Sequence, residues 1–283
     1  MSKKQTRIIA LTNHKGGCGK TTTVVHLAAE LAHLGLSVLV VDLDPQANSS
    51  DHIGKQHSSL NPLSVRDLLL KETDNIMEVI QFETRFDGVA LLPSSLSLTV
   101  DGEKIKDRFQ ARPFEALKKV LAPAVGVFDV ILIDTPPHLG ILTANALGCA
   151  TDYIIPVFSG SQYGLSGTTT LQQYIGEIRE VNPELNMLGV LLLHHDSRTN
   201  VCRTMKEVVQ ETFEKIIPID IPTSTKMEQT TAMQTSIRKL DPTSKVARAF
   251  RKLGLWVAAE IGFAVTKDAE TDADDTDEDA GGE

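Results

Sequence analysis

Apolar runs rich in β-branched residues recur along the chain, and segments with helical spacing lie between them. Six runs predict strands, at 7–12, 37–44, 89–95, 128–137, 152–158 and 187–193. Each run is apolar throughout, as expected of strands in a parallel sheet that helices cover on both faces. Helices are predicted at 20–35, 113–121, 140–149, 164–181 and 199–214. The alternation predicts an α/β fold built on a doubly wound, mostly parallel sheet with helices on both faces.

The last sixteen residues change the meaning of the chain's overall charge. The formal net charge is −9, from 37 acidic and 28 basic residues. Residues 268–283 hold nine of the carboxylates and no lysine or arginine, so the body before them is neutral. A like-charged run without aromatic residues buries too little apolar surface to fold. We therefore expect one domain over residues 1–267 and a disordered acidic tail over 268–283, and the acidic total does not exclude a DNA-binding body.

Composition otherwise indicates an ordinary globular protein, with 41% hydrophobic and 23% charged residues. No stretch approaches the ~20 apolar residues of a membrane span. Cys18, Cys149 and Cys202 are far apart and lack metal-ligand spacing. This pattern predicts reduced thiols in a cytosolic protein.

A glycine-rich loop, NHKGGCGKTT, joins the first predicted strand to the first predicted helix. Strand, glycine loop, Lys-Thr and helix is the setting of a P-loop, in which backbone N–H groups and the helix N-terminus face phosphate oxygens. Lys20 is expected to reach the β and γ phosphates of ATP, and the Thr21 hydroxyl to ligate Mg²⁺. The remaining expected nucleotide contacts are Gly16, Gly17, Cys18, Gly19 and Thr22.

The loop departs from the usual P-loop at two positions. His14 stands where the first glycine is expected, and Lys15 is an additional lysine. The pattern K-G-G-x-G-K-T-T resembles the deviant Walker A motif of the ParA/MinD superfamily of dimerising ATPases. The resemblance implies that Lys15 acts in trans on the nucleotide of the neighbouring subunit, as an arginine finger does, so that ATP holds a homodimer together. A solvated loop lysine is the plain alternative.

Three aspartates end apolar runs at the predicted carboxyl edge of the sheet, where ligands bind in open α/β folds. Asp42 and Asp44 end VVDLD, and Asp134 ends VILID. In the resemblance, Asp44 orients or deprotonates the attacking water, while Asp42 supports Mg²⁺ and the first switch loop. Asp134 would hold a Mg²⁺-bound water. A helix cap is the alternative for an isolated carboxylate at a strand end.

A later segment, IPIDIPTSTKMEQ, is similar to the family's stretch that closes over adenine. Pro222 and Ser224 would line the base. Thr223 stands where the family often has arginine, so this chain lacks the cation that would serve DNA contact or nucleotide sensing at that position. The resemblance as a whole covers roughly residues 6–260.

Another segment, GVLLLHHDSRTN, resembles the family's stretch after a late strand, with His194 and His195 replacing part of it. Adjacent histidines can suggest zinc. Neighbours on a strand point to opposite faces, however, which favours a structural role for the pair.

In the ParA branch, the resemblance implies a weak ATPase whose ATP-bound dimer binds nonspecific DNA. A ParB-like or small basic partner would stimulate hydrolysis and release, so that plasmid or chromosomal DNA is segregated, or a protein cargo positioned, on the nucleoid of the cytoplasm. Such DNA binding requires cationic side chains aimed at phosphates. The candidates are Arg203, Lys206, Lys226, Lys245, Arg248, Arg251 and Lys252. The last four belong to a helix expected to start at Asp241 and Pro242, and a merely solvated basic face is their alternative.

Two other functions stay open at this point. The same helix carries an apolar stripe of Phe250, Leu253, Val257 and Ile261 beside Trp256. MinD-like relatives bind membrane with such a C-terminal amphipathic helix, but an anionic surface would repel the acidic tail, and docking of the stripe on the sheet is favoured. A nucleotide-gated adaptor that does not hydrolyse ATP is the third interpretation. The tail itself would either compete with DNA for the basic helix or simply aid solubility.

Overall fold

The computed structural model describes residues 5–99, 101, 104, 105, 107, 112–160 and 168–264. Six strands form one sheet in the order β3-β2-β4-β1-β5-β6, and every neighbouring pair is parallel. The strands are β1 Arg7–Leu11, β2 Val38–Asp42, β3 Val89–Leu92, β4 Val130–Asp134, β5 Asp152–Phe158 and β6 Asn186–Leu193. The predicted fold class is confirmed, and each predicted run corresponds to one strand, although β6 begins one residue before its run. The predicted acidic tail lies outside the described residues.

Eleven α-helices lie within the described residues, of which the longer ones cover the sheet. They are α1 Lys20–His33, α2 Asn48–Ile53, α3 Val65–Leu69, α4 Ile76–Val79, α5 Ala116–Leu121, α6 Ile141–Cys149, α7 Thr168–Val181, α8 Asn200–Thr212, α9 Lys226–Ala232, α10 Ile237–Leu240 and α11 Lys245–Glu260. One predicted helix, 113–121, is divided, because a 3₁₀ turn at Pro113–Glu115 precedes α5. No helix in this described part of the chain is long and apolar enough to cross a membrane.

The sheet is buried on both faces, which explains why its strands are apolar throughout. In β1, Ile8 and Ala10 enter the apolar layer beneath α6, α7 and α8, whereas Ile9 and Leu11 enter the layer beneath α1 and α11. All five residues of β2 and of β4 are buried. The fold is therefore three layers, helix on sheet on helix.

The C-terminal helix α11 is docked through its apolar stripe. Phe250, Leu253 and Val257 are fully buried in the layer they share with α1. Gly254 allows the close approach, because a Cβ there would lie 2.7 Å from the Cβ of Glu30. The predicted docking of the stripe is confirmed.

The predicted start of α11 at Asp241 and Pro242 is wrong. The helix begins at Lys245, and the Ser244 hydroxyl caps it by accepting a hydrogen bond from the Ala247 N–H at 3.3 Å. Asp241 instead ends α10. Asp241 and Ser244 are both good N-cap residues, but Asp241 is already used at the end of α10, so the first free side-chain cap is Ser244.

Strands β1, β2 and β4 end in register, which places their following loops at one edge. Leu11 lies opposite Asp134, and Asp42 lies opposite Asp134 on the other side. Three loops, at 12–19, 43–47 and 135–140, therefore leave the sheet together. This edge is where ligands bind in doubly wound folds.

Candidate functional site

The glycine loop between β1 and α1 folds tightly because two of its residues take left-handed backbone conformations. Gly17 has φ 69° and Gly19 has φ 86°. A Cβ at Gly19 would overlap the side chain of Leu193, so glycine is required there by space as well as by conformation. The first turn of α1 is closed by the Thr23 hydroxyl, which donates to the Gly19 carbonyl at 2.7 Å.

Lys20 is buried inside this loop rather than extended into solvent. Its ammonium donates to the carbonyls of Asn13 at 3.1 Å and Lys15 at 3.2 Å, and its Nζ lies 3.7 Å from the Cys18 Sγ. Asn13 braces the loop in turn, because its amide donates to the Pro156 carbonyl at 2.8 Å. Burial raises the pKa of the Cys18 thiol, although the neighbouring ammonium opposes the rise. The Lys20 ammonium is therefore held within the loop by the loop's own carbonyl groups.

A cavity of about 490 Å³ opens beside the loop and is the size of a small-molecule site. The glycine loop, the start of α1, the loop after β2, helix α2 and the end of α9 all contribute to its wall. Its lining residues are Gly16, Gly17, Cys18, Gly19, Lys20, Thr21, Thr22, His26, Asp44, Gln46, Asn48, Asp51, His52, Pro137, Phe158, Thr231 and Gln234. Seven of the predicted nucleotide contacts, residues 16–22, thus line one cavity with Asp44.

Asp134 lies at the end of β4 and is fully buried. Its Oδ2 accepts two hydroxyl hydrogen bonds, from Thr21 at 2.7 Å and from Ser49 at 2.6 Å. Its Oδ1 is buried and has no hydrogen-bond partner among the described residues. Burial raises the pKa of this carboxyl to about 6, which the two hydroxyls and Lys20 oppose.

Asp42 lies opposite Asp134 on the neighbouring strand and has both oxygens engaged by protein groups. Its Oδ2 accepts from the Ser50 N–H at 2.8 Å and hydroxyl at 2.7 Å, and its Oδ1 accepts from the Asp44 N–H at 3.1 Å. Burial, and then repulsion from Asp134, raise the pKa of Asp42 well above its usual range. Asp42 thereby holds the loop after β2, and direct metal ligation by this residue stays a prediction.

Asp44 reaches the cavity from the same loop. It is 8% exposed, and its Oδ1 accepts from the Gln46 N–H at 3.0 Å. The turn that follows ends at Ala47, whose left-handed φ of 56° leads into α2. The two aspartates therefore have different surroundings. Asp42, at the end of β2, is enclosed by protein groups, whereas Asp44, in the loop that follows, lines the cavity.

The residues present fit Mg²⁺ bound together with a phosphate ligand. Mg²⁺ is held in proteins by one or two oxygen side chains, waters and substrate phosphates rather than by a full protein cage. The Thr21 hydroxyl donates its hydrogen bond to Asp134, which leaves the lone pairs of its oxygen available to a cation. The unpartnered Asp134 Oδ1 is an acceptor of the kind that a metal-bound water requires. Within the described residues no cluster of three or more His, Cys, Asp or Glu side chains could hold a metal by itself.

Three predicted nucleotide contacts lie off this cavity. Lys15 is half-buried, and it is not among the described residues that line the cavity. Pro222 and Ser224 are also half-buried and follow Ile221, whose N–H donates to the Leu192 carbonyl at the edge of β6. That position is set by pairing with β6 rather than with the glycine loop. The roles of these three residues stay predictions.

The predicted DNA-binding residues fall on two faces of the sheet. Arg203 and Lys206 belong to α8, whose buried side packs in the layer opposite the one that contains α11. The Lys206 ammonium pairs with Asp220 at 2.6 Å.

The other predicted DNA-binding residues lie together. Lys226 of α9 approaches Asp241 at 3.7 Å, just before α11. Along α11, Lys245 and Lys252 are exposed, while Arg248 and Arg251 are half-buried. A single contiguous surface would therefore involve Lys226 and α11 but not α8.

The two adjacent histidines have separate structural neighbours. His194 has a left-handed φ of 52°, and its ring packs on Phe158 with centroids 4.3 Å apart. The His195 Nδ1 lies 3.0 Å from the Ser159 Oγ, and its Nε2 lies 3.7 Å from Asp220. These contacts fix each ring by packing or hydrogen bonding, as expected of a structural role.

Sequence reasoning missed helix α2 and the residues that it brings to the site. Ser49 and Ser50 each bind one of the two buried carboxylates. His52 and Gln234 line the cavity from α2 and from the turn after α9. The only sequence signal was the polar run NSSDH four residues after Asp44, which is too short to show helical periodicity.

Comparison with known proteins gives the family of this chain. A family model described as an AAA domain (AAA_31) matches residues 6–187. The sporulation initiation inhibitor protein Soj of Bacillus subtilis is 34% identical over 255 residues, which cover 89% of this chain and 98% of Soj. The chromosome partitioning protein ParA of Myxococcus xanthus is 32% identical, over 88% of this chain and 86% of ParA.

A solved structure agrees with these relatives in fold. Cobyrinic acid a,c-diamide synthase of Mycobacterium smegmatis, with bound ADP and magnesium, superposes with a TM-score of 0.77 at 31% identity. The match covers 90% of this chain and 96% of that one. With the glycine loop, the parallel sheet and the relatives Soj and ParA all in agreement, the chain belongs to the ParA/Soj-type partition ATPases of the ParA/MinD superfamily of P-loop ATPases.

Proposed function

We propose that this protein binds ATP with Mg²⁺, that ATP binding makes it dimerise, and that the dimer binds nonspecific DNA. A partner protein would then stimulate ATP hydrolysis and so release the protein from DNA. The cycle would segregate plasmid or chromosomal DNA, or position a protein cargo on the nucleoid. Membership of the partition ATPases supports the general function, and the site supports the individual steps. The observation that carries the proposal is the convergence of Lys20, Thr21 and Asp44 on one cavity above the buried Asp134.

Each site residue has a defined task in this proposal. Lys20 leaves the loop carbonyls that it now contacts and donates to phosphate oxygens, with the backbone N–H groups of residues 16–19 around them. Mg²⁺, when bound, neutralises phosphate charge as the γ-phosphoryl group is transferred. Asp44 accepts a hydrogen bond from the attacking water and orients it toward the γ-phosphate.

Lys15 supplies the dependence of dimerisation on ATP. The side chain is on the loop but does not line the cavity of its own subunit within the described residues. A lysine so placed can reach a triphosphate presented by a second copy across a two-fold axis. Because its partner is the terminal phosphate, hydrolysis removes the contact and loosens the dimer.

The test uses Asp44→Ala with ATP, Mg²⁺ and nonspecific DNA. This variant should bind ATP, sediment as a dimer and stay on DNA without releasing phosphate. Lys15→Ala should still bind nucleotide but remain monomeric, and Lys20→Ala should lose nucleotide binding. Asp87→Ala, which removes an exposed carboxylate just before β3 that does not line the cavity, is the matched control and should behave as the native chain does. A monomeric Asp44→Ala chain at saturating ATP and Mg²⁺ would refute the mechanism.

A MinD-like membrane function has lost its main support. The apolar stripe of α11 that would enter a lipid surface is buried against α1 and the sheet. Exposing it would cost roughly 1.5–3 kcal/mol for each large side chain removed from the core. Sedimentation with anionic liposomes in ATP, without DNA binding, would nevertheless reinstate the membrane function.

A further inference from the structure

The second and third residues of helix α2 are serines, and each binds one of the two buried carboxylates Asp42 and Asp134. Ser50 binds Asp42, which holds the loop after β2. Ser49 binds Asp134, the carboxylate of the expected metal site, at 2.6 Å. Ser49 is itself fully buried, so its hydroxyl has no competing water contact.

The Asp134 carboxylate is asymmetric because both of its hydroxyl donors bind the same oxygen. Thr21 and Ser49 both donate to Oδ2, whereas Oδ1 has no partner in the described structure. Two donors approaching from different elements, α1 and α2, fix the rotation of the carboxylate about its Cβ–Cγ bond. Oδ1 is thereby kept pointing away from both hydroxyls.

The two donors have different duties once a cation is present. The Thr21 oxygen is the expected Mg²⁺ ligand, and ligation pulls this hydroxyl toward the ion. Ser49 is not expected to touch the ion, so its hydrogen bond can continue to orient Asp134 while Thr21 adjusts. Groups that orient a metal-site carboxylate in this way typically change metal affinity 10–100-fold when they are removed.

We propose that Ser49 is the positioning residue that holds Asp134 in the orientation required for Mg²⁺-dependent nucleotide binding. The proposal rests on the site being a Mg²⁺-nucleotide site and is independent of dimerisation and DNA binding. Because Ser49 belongs to helix α2, the same hydrogen bond also fastens this helix to Asp134.

The test measures binding of a fluorescent ADP analogue, N-methylanthraniloyl-ADP, to the full chain as free Mg²⁺ is varied. ADP is used because its binding does not require the dimer. Ser49→Ala should need at least ~10-fold more Mg²⁺ for half-maximal enhancement of binding, while binding in EDTA stays within ~2-fold of native. Ser49→Thr, which keeps the hydroxyl, should restore the native Mg²⁺ dependence.

The matched control is Ser37→Ala, which removes a hydroxyl-to-carboxylate bond of similar length at the other end of the sheet, from Ser37 to Asp129 at 2.7 Å. It should leave the Mg²⁺ dependence unchanged. A native Mg²⁺ titration in Ser49→Ala, or an equal loss of binding with and without Mg²⁺, would overturn the role of Ser49. Absence of any Mg²⁺-dependent binding by the native chain would instead refute the nucleotide site on which the proposed function depends.

Discussion

A buried histidine on helix α1 should make the stability of this protein strongly dependent on pH. His26 is 1% exposed and packs against Phe250 with ring centroids 5.0 Å apart. Its Nδ1 accepts from the Ile237 N–H at 3.2 Å, so the proton of the neutral ring resides on Nε2. Nε2 then donates to the Thr230 Oγ, 3.3 Å away, and that hydroxyl donates to the Met227 carbonyl at 2.6 Å. The bond at Nδ1 requires the neutral ring, because a protonated Nδ1 cannot accept from the Ile237 N–H.

The magnitude follows from the pKa. Burial, and then the neighbouring His52, lower the pKa of His26 from 6.5 to about 3. Because the native pKa lies below the unfolded one, the unfolded chain takes up the proton first, and stability falls as pH drops from about 6.5 toward 3. At pH 5 the unfolded histidine is almost fully protonated and the native one is neutral, which corresponds to roughly 2 kcal/mol lost relative to pH 8.

The measurement compares the native chain with His26→Gln in urea unfolding at pH 8 and pH 5. Glutamine can accept from Ile237 and donate to Thr230 but does not titrate, so it serves as the reference. The carboxylates Asp42 and Asp134, whose raised pKa values act in the opposite direction, titrate in both chains and cancel in the comparison. Between pH 8 and pH 5 the native chain should lose about 2 kcal/mol more unfolding free energy than His26→Gln does. A difference that stays constant within ~0.5 kcal/mol would refute the assignment of His26 as a buried neutral base.

Three further predictions concern helix packing and charge. Gly254→Ala should lower the unfolding free energy by about 1–3 kcal/mol, because its Cβ would lie 2.7 Å from that of Glu30. In the same thermal melt Gly176→Ala, which adds a Cβ in open space on α7, should be neutral or stabilising. Replacing Lys245 and Lys252 together by glutamate should weaken DNA binding and reduce the slope of log affinity against log salt concentration by about two. Lys118→Glu, an exposed substitution on the opposite face, should leave that slope unchanged. An unchanged slope for the double variant in a filter-binding assay would exclude α11 as the DNA contact. Truncation after Lys267 should tighten DNA binding at low salt if the tail competes with phosphates, and equal affinities for both chains at ~50 mM salt would argue for a solubilising tail alone.

The parts of the fold that sequence could predict are those with a long or locally complete signal. Continuous apolar runs identify all six strands because a parallel sheet buries both faces. The glycine loop is recognisable because its backbone conformation, its lysine and its threonine are adjacent in the chain. The ends of the elements were less accurate: α11 begins three residues beyond Pro242, because Asp241 ends α10 and Ser244 supplies the cap.

The missed parts depend on contacts between distant residues. Helices α2, α9 and α10 have only four to seven residues each, too few for a helical period to emerge. Ser49 meets a carboxylate 85 positions away, and His26 meets an N–H 211 positions away. Neither bond has a local pattern, because serine and histidine acquire these partners only when the sheet brings α2 and the C-terminal helices to α1.

Helix α2 joins the buried carboxylates Asp42 and Asp134 to the C-terminal helices through hydrogen bonds at both of its ends. Its first residues bind the carboxylates, and its later residues bind the turn after α9: Gln234 donates to the Asp51 carbonyl at 2.7 Å, and His52 donates to the Thr235 carbonyl at 3.0 Å. A six-residue helix without a side-chain cap has little stability of its own, so these contacts determine where it lies. Any displacement of its first turn by a ligand must therefore either break the bonds to the turn at 234–235 or move that turn with it. Since the same turn leads directly into α10 and then the basic helix α11, a bonded route of short elements runs from the nucleotide site to the surface proposed to bind DNA.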